Sequence, residues 1–322
     1  MVQLSISVEG LIGLTWPDWT RLVQVVEDLG FTGLYLSDHF NMPVPPDNPS
    51  LELVVALTYL ADHSERVRFG PMVAPVSFRD PIMLARQAAA LNDLSEGRMV
   101  LGVGAGHFER EHTMFGYELG DMATRFDRLA EGLEVITRLL RSAEPVSFEG
   151  TFYRLHEAVL PGPRRPDGPP VMIGGSGPRR TLPLVARFAD VWNAAEVSPE
   201  QLTERNAHLD RLLEAAGRRP EDVRRTLTKP VICWRSPEEL EARLGWGRRF
   251  GPWRDLSAEQ RLEEIRAWRP ILGSPAEVVS QIRAFEEAGI SEIAVQWYAA
   301  DDIAGLELLA AEVLPLLASP SP

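Results

Sequence analysis

Eight short runs of β-branched and other apolar residues constrain the fold of this chain most, because they alternate with segments of helical periodicity. The runs occupy residues 3–8, 33–37, 67–74, 99–104, 170–174, 190–194, 227–234 and 290–297. Several are nearly continuous apolar stretches, such as MVLGVG at 99–104 and EIAVQW at 292–297. Strands of this kind are typical of a parallel sheet that helices cover on both faces.

Segments between and after these runs predict helices at residues 19–29, 81–94, 125–140, 179–188, 199–216, 276–288 and 303–317. In the first of them, Leu22, Val25, Val26 and Leu29 share one face, as in an amphipathic helix. Eight strands alternating with helices predict an α/β fold of the (β/α)₈ type, a TIM barrel, rather than a doubly wound sheet. We expect one barrel domain over residues 1–322.

Two segments exceed the repeat and predict insertions into the barrel. Residues 142–169 are rich in proline and glycine, with a predicted hairpin at 146–155. Residues 235–272 are rich in charge and tryptophan and indicate a helical insertion. Long insertions in a compact domain are often lids or binding loops.

Charge and cysteine content narrow the class of protein. The 322-residue chain carries a formal charge of −13, which opposes binding to the phosphates of nucleic acid. Its lone cysteine, Cys233, forms no internal disulfide and fits a reducing compartment. The sequence has no signal-peptide pattern at its start and no apolar run near the ~20 residues of a membrane span. We therefore expect a soluble, cytoplasmic, acidic protein without nucleic-acid or membrane partners.

Polar and glycine-rich residues follow most of the predicted strands, at the end of a barrel where active sites form. Glu9 follows the first strand, and Asp38 and His39 follow the second. MVAPVSFRDP follows the third strand, GAGHFEREH the fourth and GGSGPRR the fifth. Because the carboxyl ends of all barrel strands meet at one rim, the sequence predicts a functional site there.

The GGSGPRR segment, residues 174–180, is the sharpest local signal. Small residues let backbone N–H groups approach an anion, and the following helix adds its positive end. Arg179 or Arg180 would add a charge-assisted contact to a phosphate. The alternative is an ordinary tight turn between strand and helix. The GVGAG segment at 102–106 lacks the third glycine of a dinucleotide fingerprint, so we do not expect a Rossmann site.

Asp38 and His39 allow a structural and a functional interpretation. In the structural one, Asp38 caps a helix and His39 fills a polar pocket. The prolines of NMPVPPDNPS, residues 41–50, delay any helix to about residue 50 and argue against capping. In the functional one, His39 exchanges protons near neutral pH and the adjacent carboxylate tunes it.

A group of ionisable residues after the fourth strand has the composition of a metal site: His107, Glu109, Glu111 and His112. Its spacing departs from the H-E-x-x-H motif, and no third ligand is evident. We expect no metal here.

Ordered motifs along most of the chain resemble the bacterial luciferase-like monooxygenase superfamily, particularly its branch of oxidoreductases that use coenzyme F420, a deazaflavin. The resemblance rests on GFTGLYLSDHF, PMVAPVSFRDP, MVLGVGAGHFEREHTMFG and PPVMIGGSGPRRTLPLVARFADVWN. The C-terminal segment GSPAEVVSQIRAFEEAGISEIAVQ is also similar to the family. The resemblance implies a (β/α)₈ barrel that is usually a homodimer.

The resemblance also implies roles for individual residues. It places Asp38 and His39 beside the deazaflavin ring, with His39 assisting hydride or proton transfer. A cis peptide between Met72 and Val73, continuing to Ala74, would buttress the back of the ring. Further cofactor contacts are implied along the ribityl chain and at the phosphate, at Gly104, Ala105, Gly106, His107, Gly174, Gly175, Ser176, Gly177 and Arg179.

On the substrate side, Glu9 matches a carboxylate that some relatives place at the substrate. Many relatives carry tryptophan where this chain has His107, which is either a second proton donor or a pocket wall. Trp16, Trp192 and Trp297 would wall the pocket, or equally fill the core. The pocket would be built by residues 9–17, 40–50, 107–122 and 235–272, and aromatic residues there favour an apolar or planar substrate.

The leading hypothesis is an oxidoreductase that transfers a hydride between coenzyme F420 and a small organic substrate. One alternative is a monooxygenase that uses reduced flavin mononucleotide (FMN) and oxygen. The other is a flavin- or deazaflavin-binding protein without catalysis. Coenzyme F420 carries a polyglutamyl tail, which Arg164, Arg165, Arg179 and Arg180 are available to bind.

Overall fold

The computed structural model describes residues 1–162, 165 and 168–318. Its strands are β1 (Gln3–Val8), β2 (Gly33–Leu36), β3 (Arg68–Pro71), β4 (Ala74–Pro75), β5 (Leu101–Gly104), β6 (Val146–Glu149), β7 (Arg154–Ala158), β8 (Val171–Gly174), β9 (Val191–Ala195), β10 (Arg224–Cys233), β11 (Ile271–Gly273) and β12 (Glu292–Trp297).

The α-helices are α1 (Trp16–Asp28), α2 (Leu53–Asp62), α3 (Pro81–Leu94), α4 (Glu109–Phe115), α5 (Met122–Arg141), α6 (Thr181–Phe188), α7 (Pro199–Ala215), α8 (Pro237–Arg243), α9 (Ala258–Arg266), α10 (Pro275–Glu287), α11 (Ile303–Leu308) and α12 (Leu314–Ala318). A π-helical turn, Leu309–Val313, joins the last two. None of the helices in the described part of the chain combines the length and apolarity needed to cross a bilayer.

The predicted barrel is confirmed. Parallel strands follow one another in the order β3-β2-β1-β12-β10-β9-β8-β5-β4, and a bridge from Phe69 to Met99 joins the two edges. The bridge requires a glycine at position 70, because a Cβ atom there would lie 1.8 Å from the Val100 carbonyl oxygen. β3 and β4 together form the third of eight barrel strands.

In β1, apolar and polar side chains alternate between the two faces of the strand. Leu4, Ile6 and Val8 of β1 belong to the main apolar core, which includes the inner faces of the helices. Ser5 and Ser7 are also buried and point to the other face of the strand. This alternation fixes the register of β1, so that its carboxyl end delivers Glu9 to the rim.

Two features of the polypeptide around the third strand differ from the sequence-based expectation. The strand is not continuous over residues 67–74 but is interrupted at Met72–Val73, where the peptide bond is cis. Helix α2 was not predicted, because its sequence LVVALTYLAD is apolar on most sides and lacks a clear helical period. Glu52 caps it by accepting the Val55 N–H at 2.9 Å.

Both segments predicted to be insertions contain helices or strands in the described residues. β6 and β7 pair as the antiparallel hairpin predicted within residues 142–169. The second insertion contains α8, α9 and two 3₁₀ turns, as expected of a helical segment. It also contains β11, which pairs in parallel with the end of β10 and was not predicted. Only three residues long, β11 is too short to show a period in the sequence.

Candidate active site at the carboxyl rim of the barrel

The end of β2 carries a short polar segment, Ser37-Asp38-His39, into the rim. The Ser37 hydroxyl accepts the Gly10 N–H at 3.2 Å, which ties the loop after β1 to the loop after β2. Asp38 is buried and does not cap a helix; its carboxylate receives two hydrogen bonds from Arg79, at 2.8 and 2.9 Å. Burial raises the pKa of Asp38, and the hydrogen bonds from Arg79 oppose that rise.

His39 is held on two sides. Its Nδ1 atom lies 3.1 and 3.3 Å from the two carboxylate oxygens of Glu111, and its ring stacks on Phe108 with centroids 4.3 Å apart. Burial lowers the pKa of His39, but the hydrogen bond and charge of Glu111, together with smaller contributions from Glu9 and Asp38, outweigh it, so the pKa lies above its ordinary value. The Glu111 carboxylate and the Phe108 ring therefore hold the His39 ring in place.

Two of the ionisable residues that follow the fourth predicted strand, Glu111 and His112, are buried side chains of helix α4. Glu111 points to the loop after β2, whereas His112 contacts the loop after β4, with Nε2 2.7 Å from the Ser77 hydroxyl. The Nδ1 atom of His112 donates to the Phe108 carbonyl oxygen at 2.6 Å. The two neighbours thus hold separate rim loops. Within the described residues, no group of three or more His, Cys, Asp or Glu side chains is placed to hold a metal ion.

His107 lies beside His39 at the mouth of the site. The two rings meet edge to face with centroids 5.3 Å apart, and His107 remains open to solvent on its outer side. Desolvation by the surrounding rim, together with the nearby His39, lowers the pKa of His107 to about 4. Glu9, which contributes to the field at His39, accepts a hydrogen bond from Gln296 at 2.7 Å. The rim therefore pairs a histidine whose pKa is raised with one whose pKa is lowered.

The cis peptide at Met72–Val73 is present where the resemblance implies it. The Val73 side chain fills the space beside three glycines; a Cβ atom at Gly104 would lie 2.6 Å from it, and Gly102 and Gly174 are 3.1 Å away by the same measure. Gly102 and Gly104 of the GVGAG segment therefore leave the space that the Val73 side chain occupies. Ala74 is buried behind it, and Ala105 and Gly106 continue along the rim, with Ser77 beside Gly106.

The loop from Gly174 to Arg180 has the features of an anion site. The backbone N–H groups of Ser176, Gly177, Arg179 and Arg180 have no acceptor among the described residues. Gly175, at φ +115°, turns the chain sharply, and its carbonyl oxygen accepts the Trp192 indole N–H at 2.7 Å. The Ser176 hydroxyl hydrogen-bonds to Ala195, and Arg205 of α7 donates to the Ser176 carbonyl oxygen, so contacts within the protein hold the loop in place.

The structure does not bring the three predicted pocket tryptophans into the site. Trp192 is fully buried and supports the Gly174–Arg180 loop from behind. Trp297 is buried against Gly305 of α11, and Trp16 packs edge-on against Tyr59 of α2 in the outer helical layer. The sequence showed only that they lie near strand ends; which face each side chain takes depends on packing.

Of the four arginines considered for an anionic tail, two lie at the rim. Arg179 is exposed, and Arg180 lies over the Phe126 ring at 5.8 Å. Arg165 lies beside Gly97, which precedes β5, so it belongs to the opposite end of the barrel; this part of the expectation is wrong. Arg164 lies outside the described residues.

Sequence reasoning missed the aromatic packing of the second insertion. Trp246 stacks on Tyr298, at the end of β12, with centroids 4.5 Å apart, and it also packs on Trp253. The apolar cluster around them includes side chains from several rim loops, namely Leu11, Ile12, Met42, Phe108 and Ala299. The insertion thus forms one wall of the rim. The density of tryptophan in residues 235–272 was the signal that pointed to it.

Comparison with known proteins places these features in a family. The family model for luciferase-like monooxygenases matches residues 5–292. The chain is 28% identical to an F420-dependent glucose-6-phosphate dehydrogenase of Kineococcus radiotolerans over 90% of each chain. It is 24% identical to a 5,10-methylenetetrahydromethanopterin reductase of Archaeoglobus fulgidus, covering 98% of this chain and all of that one.

Among solved structures, an F420-dependent secondary alcohol dehydrogenase in complex with an F420-acetone adduct superposes with a TM-score of 0.83 at 20% identity, over 99% of both chains. A type II Baeyer–Villiger monooxygenase from Pseudomonas putida, in complex with FMN, superposes with a TM-score of 0.71 at 19% identity over 98% of this chain. These likenesses confirm the barrel, and the family model, which spans most of the chain, confirms the resemblance seen in the motifs. The chain belongs to the luciferase-like monooxygenase family.

Proposed function

We propose that this protein is an F420-dependent oxidoreductase that transfers a hydride between the deazaflavin and a small organic substrate. One observation carries the proposal: a loop with four N–H groups that lack an acceptor among the described residues shares one rim with the half-buried, protonatable His39, on a barrel whose relatives include F420-dependent enzymes. When bound, the cofactor supplies a ring carbon that accepts or gives a hydride. All other steps concern what the protein's own groups do.

The residues at the rim fit the groups of such a cofactor. The N–H groups of Ser176, Gly177, Arg179 and Arg180, which meet no acceptor in the described part of the chain, suit a phosphate, since an anion would accept their hydrogen bonds. The exposed Arg179 and Arg180 side chains, which border this loop, suit a tail of carboxylates. Arg125 also lies near this side, donating to the Gly106 carbonyl oxygen at 3.1 Å.

The neutral part of the cofactor would meet the Met72–Val73 segment and the residues from Gly104 to His107. Val73 is locked among glycines, so this surface cannot yield toward the barrel interior when a ring is pressed on it. Because this surface is already in place, positioning the reacting atom costs little conformational entropy at the moment of reaction.

The residues Asp38, His39, Glu9 and His107 would act on the substrate side. We assign His39 to stabilise, or exchange a proton with, the substrate oxygen as the hydride moves. Asp38, held by Arg79, fixes the end of β2 from which His39 projects. Glu9 and His107 border the same space and interact electrostatically with His39.

The test is an anaerobic assay that follows the ring absorbance of F420 with a panel of substrates, including short secondary alcohols and glucose 6-phosphate. Substrate-dependent reduction of F420 supports the proposal. Oxygen-dependent turnover with reduced FMN, and none with F420, would replace it with the monooxygenase alternative. Tight F420 binding without turnover of any panel member would favour a binding protein without catalysis.

We also propose a homodimer, as the family resemblance implies. Exposed apolar side chains lie on two neighbouring outer helices, Val55 on α2 and Met83 and Leu94 on α3. Apolar groups clustered on one surface favour burial against a second copy of the chain. Sedimentation equilibrium with the Met83→Glu variant tests this: the variant should shift toward monomer.

A further inference from the structure

Glu111 is a buried carboxylate that the proposed chemistry does not use directly. Its side chain is 1% exposed, and it comes from α4, which follows β5, two barrel strands away from β2. Both of its oxygens approach His39 Nδ1, at 3.1 and 3.3 Å, and Oε2 also accepts the Phe40 N–H at 3.1 Å. A buried charge is costly unless it is paired in this way, so the contact is a built feature of the fold.

The contact decides which nitrogen of His39 carries a proton. A carboxylate can only accept hydrogen bonds, so Nδ1 must be the N–H in the neutral ring. Nε2 is then an acceptor when the ring is neutral and a second donor when it is charged. Nε2 has no protein partner within the described ranges, whereas the stack on Phe108 limits rotation of the ring.

We propose that Glu111 is a positioning residue, which holds His39 with Nδ1–H turned into the protein and presents Nε2 to the reacting partner. The identity of that partner rests on the proposed function. The pairing itself does not, because it is present in the protein alone.

Four charged or titratable groups face His39: Glu111 from α4, Glu9 after β1, Asp38 at the end of β2 and His107 after β5. Burial lowers the pKa of His39, and Glu111 provides the largest opposing effect, ahead of Glu9 and Asp38. Asp38 is engaged by Arg79 and Glu9 by Gln296. Of the three carboxylates, Glu111 is the one that the described structure places in hydrogen-bond contact with the ring.

The experiment is an NMR titration of the histidine ring signals in the apoprotein, with His39 assigned from the spectrum of His39→Asn. In the wild type, the nitrogen shifts should show the Nδ1–H tautomer at high pH. In Glu111→Gln the amide oxygen still accepts the Nδ1–H, but the charge is gone, so the pKa of His39 should fall by about one to three pH units. Glu109→Gln, on the exposed side of the same helix, is the matched control and should leave it unchanged.

An Nε2–H tautomer in the wild type, or an unchanged His39 pKa in a folded Glu111→Gln protein, would overturn the inference. The wild-type tautomer decides the matter even if the variant does not fold. Glu111→Gln should bind F420 with an affinity within about threefold of the wild type but turn over substrate more slowly. In a His39→Gln background, Glu111→Gln should lower turnover little further. Failure of F420 to bind the wild type would instead reject the proposed function and leave the NMR result standing.

Discussion

The Asp38 carboxylate and the Arg79 guanidinium form a two-point ion pair, with Nη2–Oδ1 and Nε–Oδ2 distances of 2.8 and 2.9 Å. Arg79 follows the third barrel strand, so the pair links the loops of two neighbouring strands under the rim. A third contact, from Arg79 Nη1 to Glu52 at 2.8 Å, reaches the start of α2. The segment that carries His39 is therefore anchored before a ligand binds.

Arg79→Met should destabilise the protein by about 3–5 kcal/mol, because it leaves the buried Asp38 carboxylate without its partner. Urea unfolding at pH 7 measures the change. The control is Arg266→Met, which removes an exposed pair with Glu263 on one helix face and should cost no more than about 0.5 kcal/mol. Equal losses in the two variants would show that the Asp38 pair is no better than a surface one.

Gly175→Ala should weaken F420 binding about tenfold or more, because a side chain strains φ +115° and displaces the N–H groups of the loop. Gly217→Ala is the matched control: Gly217 also has positive φ, at +73°, but it follows α7 at the other end of the barrel. An equal effect on F420 affinity would mean that the loop does not bind the phosphate.

His107 should make the protein less stable in mild acid. Desolvation, with the nearby His39, holds the pKa of His107 at about 4 in the folded protein, against about 6.5 when unfolded. As the pH falls, the unfolded chain therefore takes up a proton at His107 before the folded protein does. The stability contributed by neutral His107 is intact above pH 6.5 and is lost as the pH falls toward 4.

Urea midpoints at pH 7 and pH 5 measure this contribution. The wild type should lose more stability between the two than His107→Gln does. His39 has the opposite sign, since its raised pKa favours the fold at low pH, so that residue must be kept in both proteins. A larger acid loss in the variant would contradict the assignment.

The barrel and its rim were predictable because they depend on local patterns. Apolar runs at regular spacing located eight strands, and the polar residues after β1, β2, β5 and β8 needed only the rule that strand ends converge. The prolines at 41–50 correctly indicated that Asp38 does not cap a helix. Sequence also marked the loop at Gly174–Arg180, since small residues are required where backbone groups crowd.

The features of the site that the sequence did not predict depend on contacts between segments far apart in the chain. Glu111 and His39 are 72 positions apart, and no spacing rule in a single sequence relates them. The same holds for the tryptophans: nothing in the sequence tells whether Trp192 faces the pocket or the back of a loop. The metal-like composition of residues 107–112 was a signal for buried polar contacts, which only the position of α4 explains.

His39→Ala should lower turnover at least ~100-fold, the usual scale for losing a general acid or base. F420 affinity should change much less, because the Gly174–Arg180 loop and the surface around Val73 are untouched. The measurement is the F420 reduction assay with the best substrate of the panel. Unchanged turnover would remove the proton-handling role assigned to this ring.

The most direct test of the whole account is a titration of the apoprotein with F420 and, separately, with FMN, followed by ring fluorescence. The account predicts saturable F420 binding that weakens in Gly175→Ala and not in Gly217→Ala, with FMN binding more weakly. Tight FMN binding with no F420 binding would contradict it.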